Sequence, residues 1–299
     1  MAEEAIVARD TADAGLALPK PMPYLGQVWW RFRKDKMGLA TSLVILLIIL
    51  SAILAPWISP YDPNEGLVSR RLAPLFADGH ILGTDEQGRD MLTRLLYGGR
   101  NSLLAGVVPV VMAFTVGTTL GILAGYGSQK VNTLIMRVTD VFYAFPSILL
   151  AIAIAGALGP GLKNVLIALM VVNTPRIVRI AESVTVQAKG LDYVEAARAS
   201  GAGMLPIIRS HILPNVVSPL LVYNSTLVSV NIIAAAGLGF LGLGIASPHA
   251  EWGAMLNTLR QSIYMNVWVP ILPGAAIFIT SMAFNLLSDS VRDAMDVRL

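Results

Sequence analysis

The side chains able to do chemistry gather in two polar stretches. The first is Gly83-Thr84-Asp85-Glu86-Gln87-Gly88-Arg89-Asp90, which places carboxylates beside a guanidinium. Asp85, Glu86, Arg89 and Asp90 are the residue types that hold a metal ion or a phosphate. The same residues can instead cap a helix and pair with one another, and Thr84 or Asp85 is placed to cap a helix over residues 87–97. The second stretch runs from Leu191 to Gly203 (LDYVEAARASGAG). Asp192 and Glu195 have the spacing of a capping box, Ala196, Ala197 and Ala199 favour helix, and Gly201 is a natural C-terminal stop. A second helix is predicted over residues 204–211, and Pro214 opens the apolar run beyond it. A short helix joined rigidly to a long one can transmit a push from a partner. An ordinary loop helix would carry the same residues.

The usual marks of catalysis are missing. No G-x-x-x-x-G-K-[S/T] occurs, so the chain has no phosphate-cradling loop of its own. Neither H-E-x-x-H nor G-x-S-x-G occurs, and His80, His211 and His249 stand far apart. With no cysteine, disulfides and thiolate metal sites are excluded.

The elements that position these stretches belong in a membrane. The chain is 55% hydrophobic and only 14% charged, against roughly 25% charged in a soluble domain. A spanning helix needs about 20 apolar residues to cross a core about 30 Å thick. Stretches free of Asp, Glu, Lys and Arg cover residues 39–58, 101–127, 141–162, 212–250 and 261–288. A weaker stretch, 164–175, extends to about residue 180, with Arg176 and Arg179 expected to reach toward headgroups. Backbone polar groups must pair within the segment in lipid. The reading is therefore an all-α polytopic membrane protein with six transmembrane helices.

Arg31, Arg33, Lys34 and Lys36 precede the first span and place the N-terminus inside. Six crossings return the C-terminus to the same side, with Arg292 and Arg298. Of the 22 Lys and Arg, 15 fall on segments predicted cytoplasmic and 7 on external ones. Arg70, Arg71, Arg89, Arg94 and Arg100 lie on the external segment, so the orientation rests mainly on the N-terminal cluster. The middles of the runs carry no ionisable residue, which argues against a proton-coupled carrier.

Smaller features complete the pattern. Residues 1–23 read as disordered, and 24–36 as an interfacial helix or a simple juxtamembrane anchor carrying Trp29, Trp30 and Phe32. Gly117, Gly121 and Gly125 form overlapping G-x-x-x-G motifs, which suit close packing between helices of this chain in preference to a subunit contact. The 212–250 run is too long for one simple crossing, and its glycines Gly237, Gly239, Gly242 and Gly244 predict a bend or re-entrant turn near the external mouth. Trp252 and Trp268 suit a membrane interface.

Glu195-Ala196-Ala197, Gly201 and Ile212-Leu213-Pro214 resemble the EAA loop of ATP-binding-cassette importer permeases. The stretch from His80 to Asp90 (HILGTDEQGRD), Asp192 to Arg198 (DYVEAAR), His211 to Asn215 (HILPN), Phe240 to Gly244 (FLGLG), Trp252-Gly253 and Arg292 to Asp296 (RDAMD) are similar to the dipeptide, oligopeptide and nickel branch, and to its C-type permease. The likeness covers residues 25–299. Gly239 replaces the branch's usual serine, Ser288-Asp289-Ser290 its commoner G-D-G, and Val297 its usual proline.

That resemblance implies a type I importer permease in the cell membrane. It implies a tail with an interfacial helix over 1–38, a first span and external segment over 39–100, and a five-span core over 101–299 containing the coupling loop 182–213. Asp192, Tyr193, Glu195, Ala196, Ala197, Arg198 and Gly201 would form the coupling element against an ATPase subunit. Gly83, Asp85, Arg89 and Asp90 would lie near the docking surface of an external solute-binding protein. A second homologous permease and one or two ATP-binding subunits would complete the assembly, with ATP and Mg held by those subunits and no cofactor or nucleic acid on this chain. Peptides are the leading cargo, with metal chelates as the alternative.

Overall fold

The computed structural model describes residues 24–77 and 79–295. The expectation of disorder for 1–23, and the parts of the motif at Asp296 and Val297, lie outside those residues. The described chain is helical, with only isolated bridges in the segment between the first two spans.

Helix α1 (Tyr24–Phe32) ends before Asp35, which caps α2 (Lys36–Ile53) by accepting from the amides of Met37 at 2.9 Å and Gly38 at 3.1 Å. Trp29 and Trp30 are exposed, and Lys34 lies 3.3 Å from the Trp30 ring centroid. After a looped segment, α3 (Met91–Tyr126) runs the full depth of the bundle. Then follow α4 (Gln129–Tyr143), α5 (Ser147–Leu158), α6 (Leu162–Lys189), α7 (Asp192–Ala199), α8 (Met204–Phe240), α9 (Trp252–Leu259) and α10 (Trp268–Met295). Five of these, α2, α3, α6, α8 and α10, are long and apolar enough to cross a membrane.

The sixth crossing differs from the single straight helix predicted over 141–162. It is a pair, α4 and α5, meeting at 90°. Pro146 follows Ala144 and Phe145 and has no N–H to continue the helix, while Phe145 before it is pushed out of the helical region. The 12 residues of α5 extend only about 18 Å, too short for a core of about 30 Å. The six-span count holds only with this pair taken as one broken span.

The glycine face explains the tightest contact. A methyl added at Gly121 would sit 2.4 Å from the Ala181 Cβ, at Gly117 2.8 Å from the Ile177 Cβ, and at Gly125 2.7 Å from the Thr185 Cβ. All three glycines of α3 therefore face α6 within the same chain, as predicted. Around this seam Val110, Ala113, Ile177, Val216 and Leu220 form a buried core.

Beyond Phe240 the chain turns sharply, with Gly242 at φ +80°. This is the expected bend, and it returns the chain to α9, whose N-cap is Glu251. That carboxylate accepts from the amides of Gly253 at 2.7 Å and Ala254 at 2.8 Å, and from Ser102 at 3.2 Å. A Cβ on Gly239 would lie 2.3 Å from Glu251 Oε2, so the glycine standing in the serine's place leaves room for this cap. Trp252 is buried and donates to the Leu95 carbonyl at 3.0 Å, so it is a packing residue and not an interfacial one; Trp268 stays exposed.

Candidate functional site

Two polar constructions stand at opposite ends of the bundle. At the end where α3 and α6 finish, α7 projects between α6 and α8. Gly190 releases it from α6, and Gly201 at φ +85° turns the chain back into α8. No side chain caps α7: the N-cap residue is Leu191, so the predicted Asp192–Glu195 capping box is absent, and both carboxylates are exposed in the first turn. Between these two in sequence, Val194 is fully buried against the core that includes Ala188, Ile207, Ile212 and Val216. Ala197 is partly buried on the same side, three residues on. Asp192, Tyr193, Glu195, Ala196 and Arg198 remain on the outer face.

The loop is tied to the spanning helix by polar contacts as well. The Tyr193 hydroxyl accepts from Asn215 Nδ2 at 2.9 Å, and the Tyr193 ring lies 5.7 Å from that of His211. The predicted 204–211 helix is not separate. It is the first part of α8, continuous with the rest through a π-turn at Ile208–Ile212, so α7 rests on a 37-residue rod. Leu191, Tyr193, Met204 and Leu205 are exposed, Leu205 by 74%. Apolar side chains exposed beside Asp192, Glu195 and Arg198 are the composition of a protein-docking surface. Sequence reasoning missed Val194, although the Val194–Ala197 spacing carried the signal.

At the opposite end, residues 60–90 fold over the starts of α3 and α9. Asp90, not Thr84 or Asp85, caps α3 by accepting from the Thr93 amide at 2.8 Å; the helix therefore begins at Met91 and not near Gln87. Asp85 instead organises the loop. It accepts from the amides of Gln87 at 2.8 Å and Arg89 at 2.9 Å, and pairs with Arg89 Nε at 2.6 Å and Arg94 Nε at 3.2 Å. Arg89 reaches Glu86 at 3.1 Å, and His80 Nδ1 lies 2.9 Å from Asp90. Arg94 also donates to the carbonyls of Pro63 at 2.8 Å and Pro248 at 3.1 Å. Asp85, Arg89 and Asp90 are at most 2% exposed. Burial and then the adjacent Asp85 charge push the Glu86 carboxyl upward, with Arg89 and Arg94 opposing. Gly83 at φ +71° has the Ala73 carbonyl 2.3 Å from where a Cβ would stand. The carboxylates are thus engaged by cations and backbone amides, the ion-pairing alternative of the two readings. This cluster sets the shape of the cap from within.

The two arginines of α6 are engaged by side chains of the broken span. Arg179 pairs with Asp140 of α4 at 2.6 Å and stacks over Tyr143 at 4.5 Å. Arg176 donates to Ser147 Oγ at the elbow at 3.2 Å. Both are held across the bundle by the broken span, whose bend brought their partners within reach.

A polytopic helical bundle with a rigid, exposed loop helix at one end is the architecture of an integral-membrane protein that can take up a push from a partner. The comparisons give the family. Residues 117–299 match the model for binding-protein-dependent transport system inner membrane components, and residues 23–74 that for the N-terminal TM domain of oligopeptide transport permease C. The chain is 42% identical over 293 residues to the di/tripeptide transport system permease protein DppC of Pseudomonas aeruginosa, covering 96% of each chain. It is 42% identical over 273 residues to the glutathione transport system permease protein GsiD of Pectobacterium atrosepticum, covering 91% of each. It is 39% identical over 267 residues to the probable D,D-dipeptide transport system permease protein DdpC of Escherichia coli, covering 89% of each. Its fold matches a chain of an inward-facing MetNI methionine ABC transporter with a TM-score of 0.56 and 21% identity, over 68% of this chain and 97% of that one. The chain belongs to the binding-protein-dependent transport system inner membrane component family. It is a multi-pass inner-membrane permease subunit of an ABC importer.

Proposed function

We propose that this permease imports small peptides and receives its driving motion from ATP-binding subunits through α7. The observation that carries the coupling role is the anchoring of α7: Val194 is fully buried in the bundle while Asp192, Tyr193, Glu195, Ala196 and Arg198 face outward. A helix fixed on one face and free on the other moves with α8 when a partner pulls on it. Gly201 supplies the positive-φ turn that makes the elbow compact. The chain has no P-loop, so hydrolysis belongs to the partners, which bind ATP and Mg.

A second homologous permease completes the path, and a solute-binding protein delivers cargo at the end formed by residues 60–90. Both termini then lie on the ATPase side, as the basic cluster at Arg31, Arg33, Lys34 and Lys36 requires. The peptide assignment rests on the names of the relatives, which concern di/tripeptides, glutathione and a D,D-dipeptide. Affinity purification of the chain from its native membrane, with mass spectrometry of the companions, tests the assembly. A second permease and ATP-binding subunits are expected; recovery of the chain alone or as a homo-oligomer, with detergent loss controlled, overturns it.

A further inference from the structure

Arg176 is a cation bonded to a neutral side chain. It stands on α6, 14 residues past Leu162, which places it about 21 Å along the helix and well inside a core about 30 Å thick. Among the described residues it makes no ion pair: its bond at 3.2 Å is to the neutral Ser147, and it also interacts with the neutral Tyr223. A charged side chain at such depth is expensive and marks a substrate or ion path.

Arg176 sits where two hollows meet. One, of about 400 Å³, lies between α5, α6 and α8 and is lined also by Ser147, Asn173 and Asn231. The other, of about 240 Å³, opens under the α4–α5 elbow and shares Ser147, Val172 and Arg176. Among the described residues, no carboxylate lines either one.

The amide pair in the larger hollow adds a second, independent sign. Asn173 Nδ2 donates to the Leu169 carbonyl at 2.8 Å and to Asn231 Oδ1 at 2.8 Å. The Leu169 carbonyl only accepts, which fixes the Asn173 amide; the atom of Asn231 facing it must then be oxygen. Asn231 is 2% exposed, and its Nδ2 has no partner. An unpaired buried donor costs free energy unless something arrives to accept from it.

Resting on the peptide-import reading, we propose that Arg176 and Asn231 form a carboxylate subsite in the translocation path, which receives the free carboxylate of the peptide cargo at membrane depth. The subsite offers a guanidinium fork and an amide N–H and no anion, the complement of a planar acceptor-only group. A lipid phosphate shares that chemistry but belongs at the headgroup level, not beside the middle of α6. When the path is empty, Ser147 is a neutral stand-in that holds the guanidinium in place without satisfying it.

The test uses the whole importer in liposomes with its binding protein and a dipeptide, and reads peptide imported per ATP hydrolysed. Arg176→Gln should lower that ratio at least about tenfold, since a hydrogen bond to a charged group is lost. Arg176→Lys should restore most of it, because the charge returns. Asn231→Asp, which places an anion where the cargo's carboxylate would sit, should lower the ratio as Arg176→Gln does. A merely structural role lowers uptake and hydrolysis together, leaves the ratio unchanged and is not rescued by lysine, so that result overturns the subsite. So does Arg176→Gln at the wild-type ratio. Wild-type importer that hydrolyses ATP on meeting loaded binding protein but imports no peptide instead refutes the peptide reading itself.

Discussion

Of the three seam glycines, Gly121 is where an added methyl would crowd α6 most tightly, and replacing it with alanine is a calculable perturbation. The added methyl would lie 2.4 Å from the Ala181 Cβ, 2.7 Å from the Val178 carbonyl oxygen and 3.0 Å from the Glu182 amide nitrogen. Carbon atoms rest about 3.5–4.0 Å apart, so the deficit is at least about an ångström. Two of the three neighbours are backbone and cannot swing away. The helices must separate, and a gap of about 0.5–1 Å forfeits a quarter to a half of each contact along the seam. Gly117 and Gly125 flank the same seam and lose contacts with it. Overpacking of this kind costs about 1–3 kcal/mol, and the backbone neighbours put it near the upper end. Alanine's better helix propensity returns about 1 kcal/mol. The net expectation is a loss of about 2 kcal/mol.

Gly156 of α5 is the control, because an added Cβ there meets nothing within 4 Å. Gly156→Ala should be neutral or stabilising by up to about 1 kcal/mol. The assay is equilibrium unfolding in mixed micelles, followed by circular dichroism. Gly121→Ala as stable as the wild type, or Gly156→Ala as damaging as Gly121→Ala, would refute the packing argument.

Three further outcomes are expected. Asp85→Asn leaves Arg89 and Arg94 buried without their shared partner and should destabilise the protein by about 3–5 kcal/mol, read in the same unfolding assay; a loss under ~1 kcal/mol would contradict the buried network. Burial raises the Glu251 carboxyl above its ordinary 4.5, so the folded state prefers it protonated: its contribution is full below that value and is lost as pH rises through the folded-state pKa. Wild type should therefore lose stability relative to Glu251→Gln as pH climbs from 4.5 toward neutrality, and parallel pH profiles would show the reasoning wrong. Glu195→Ala, at an exposed position, should change unfolding free energy by less than about 0.5 kcal/mol yet lower ATP-driven uptake; undiminished uptake would remove Glu195 from the coupling surface.

The spans were legible because lipid excludes charge, and runs free of Asp, Glu, Lys and Arg are easily seen. The glycine face was legible because Gly117, Gly121 and Gly125 fall on one side of a helix. The elbow between α4 and α5 was not, because residues 141–162 stay apolar straight through it; Pro146 was its one local mark. The capping predictions failed at both polar stretches for a common reason. Asp85 and Asp192 had the right type and spacing, but tertiary contacts decided otherwise: Asp85 was drawn to Arg89 and Arg94, and burial of Val194 set where α7 begins. The partners of Arg176 and Arg179, Ser147 and Asp140, were not legible because they come from the far side of a bend that the sequence pattern hides.

The central claim is that the outward face of α7 is where the ATP-binding subunit docks. The chain has no cysteine, so a single Ala196→Cys change creates a unique thiol on that face. In the assembled importer, a short bifunctional thiol reagent should join it to a cysteine placed in the cleft of the ATP-binding subunit, and a thiol at Val68, exposed at the opposite end of the bundle, should not join. Cross-linking from Val68 and none from Ala196 would contradict the account.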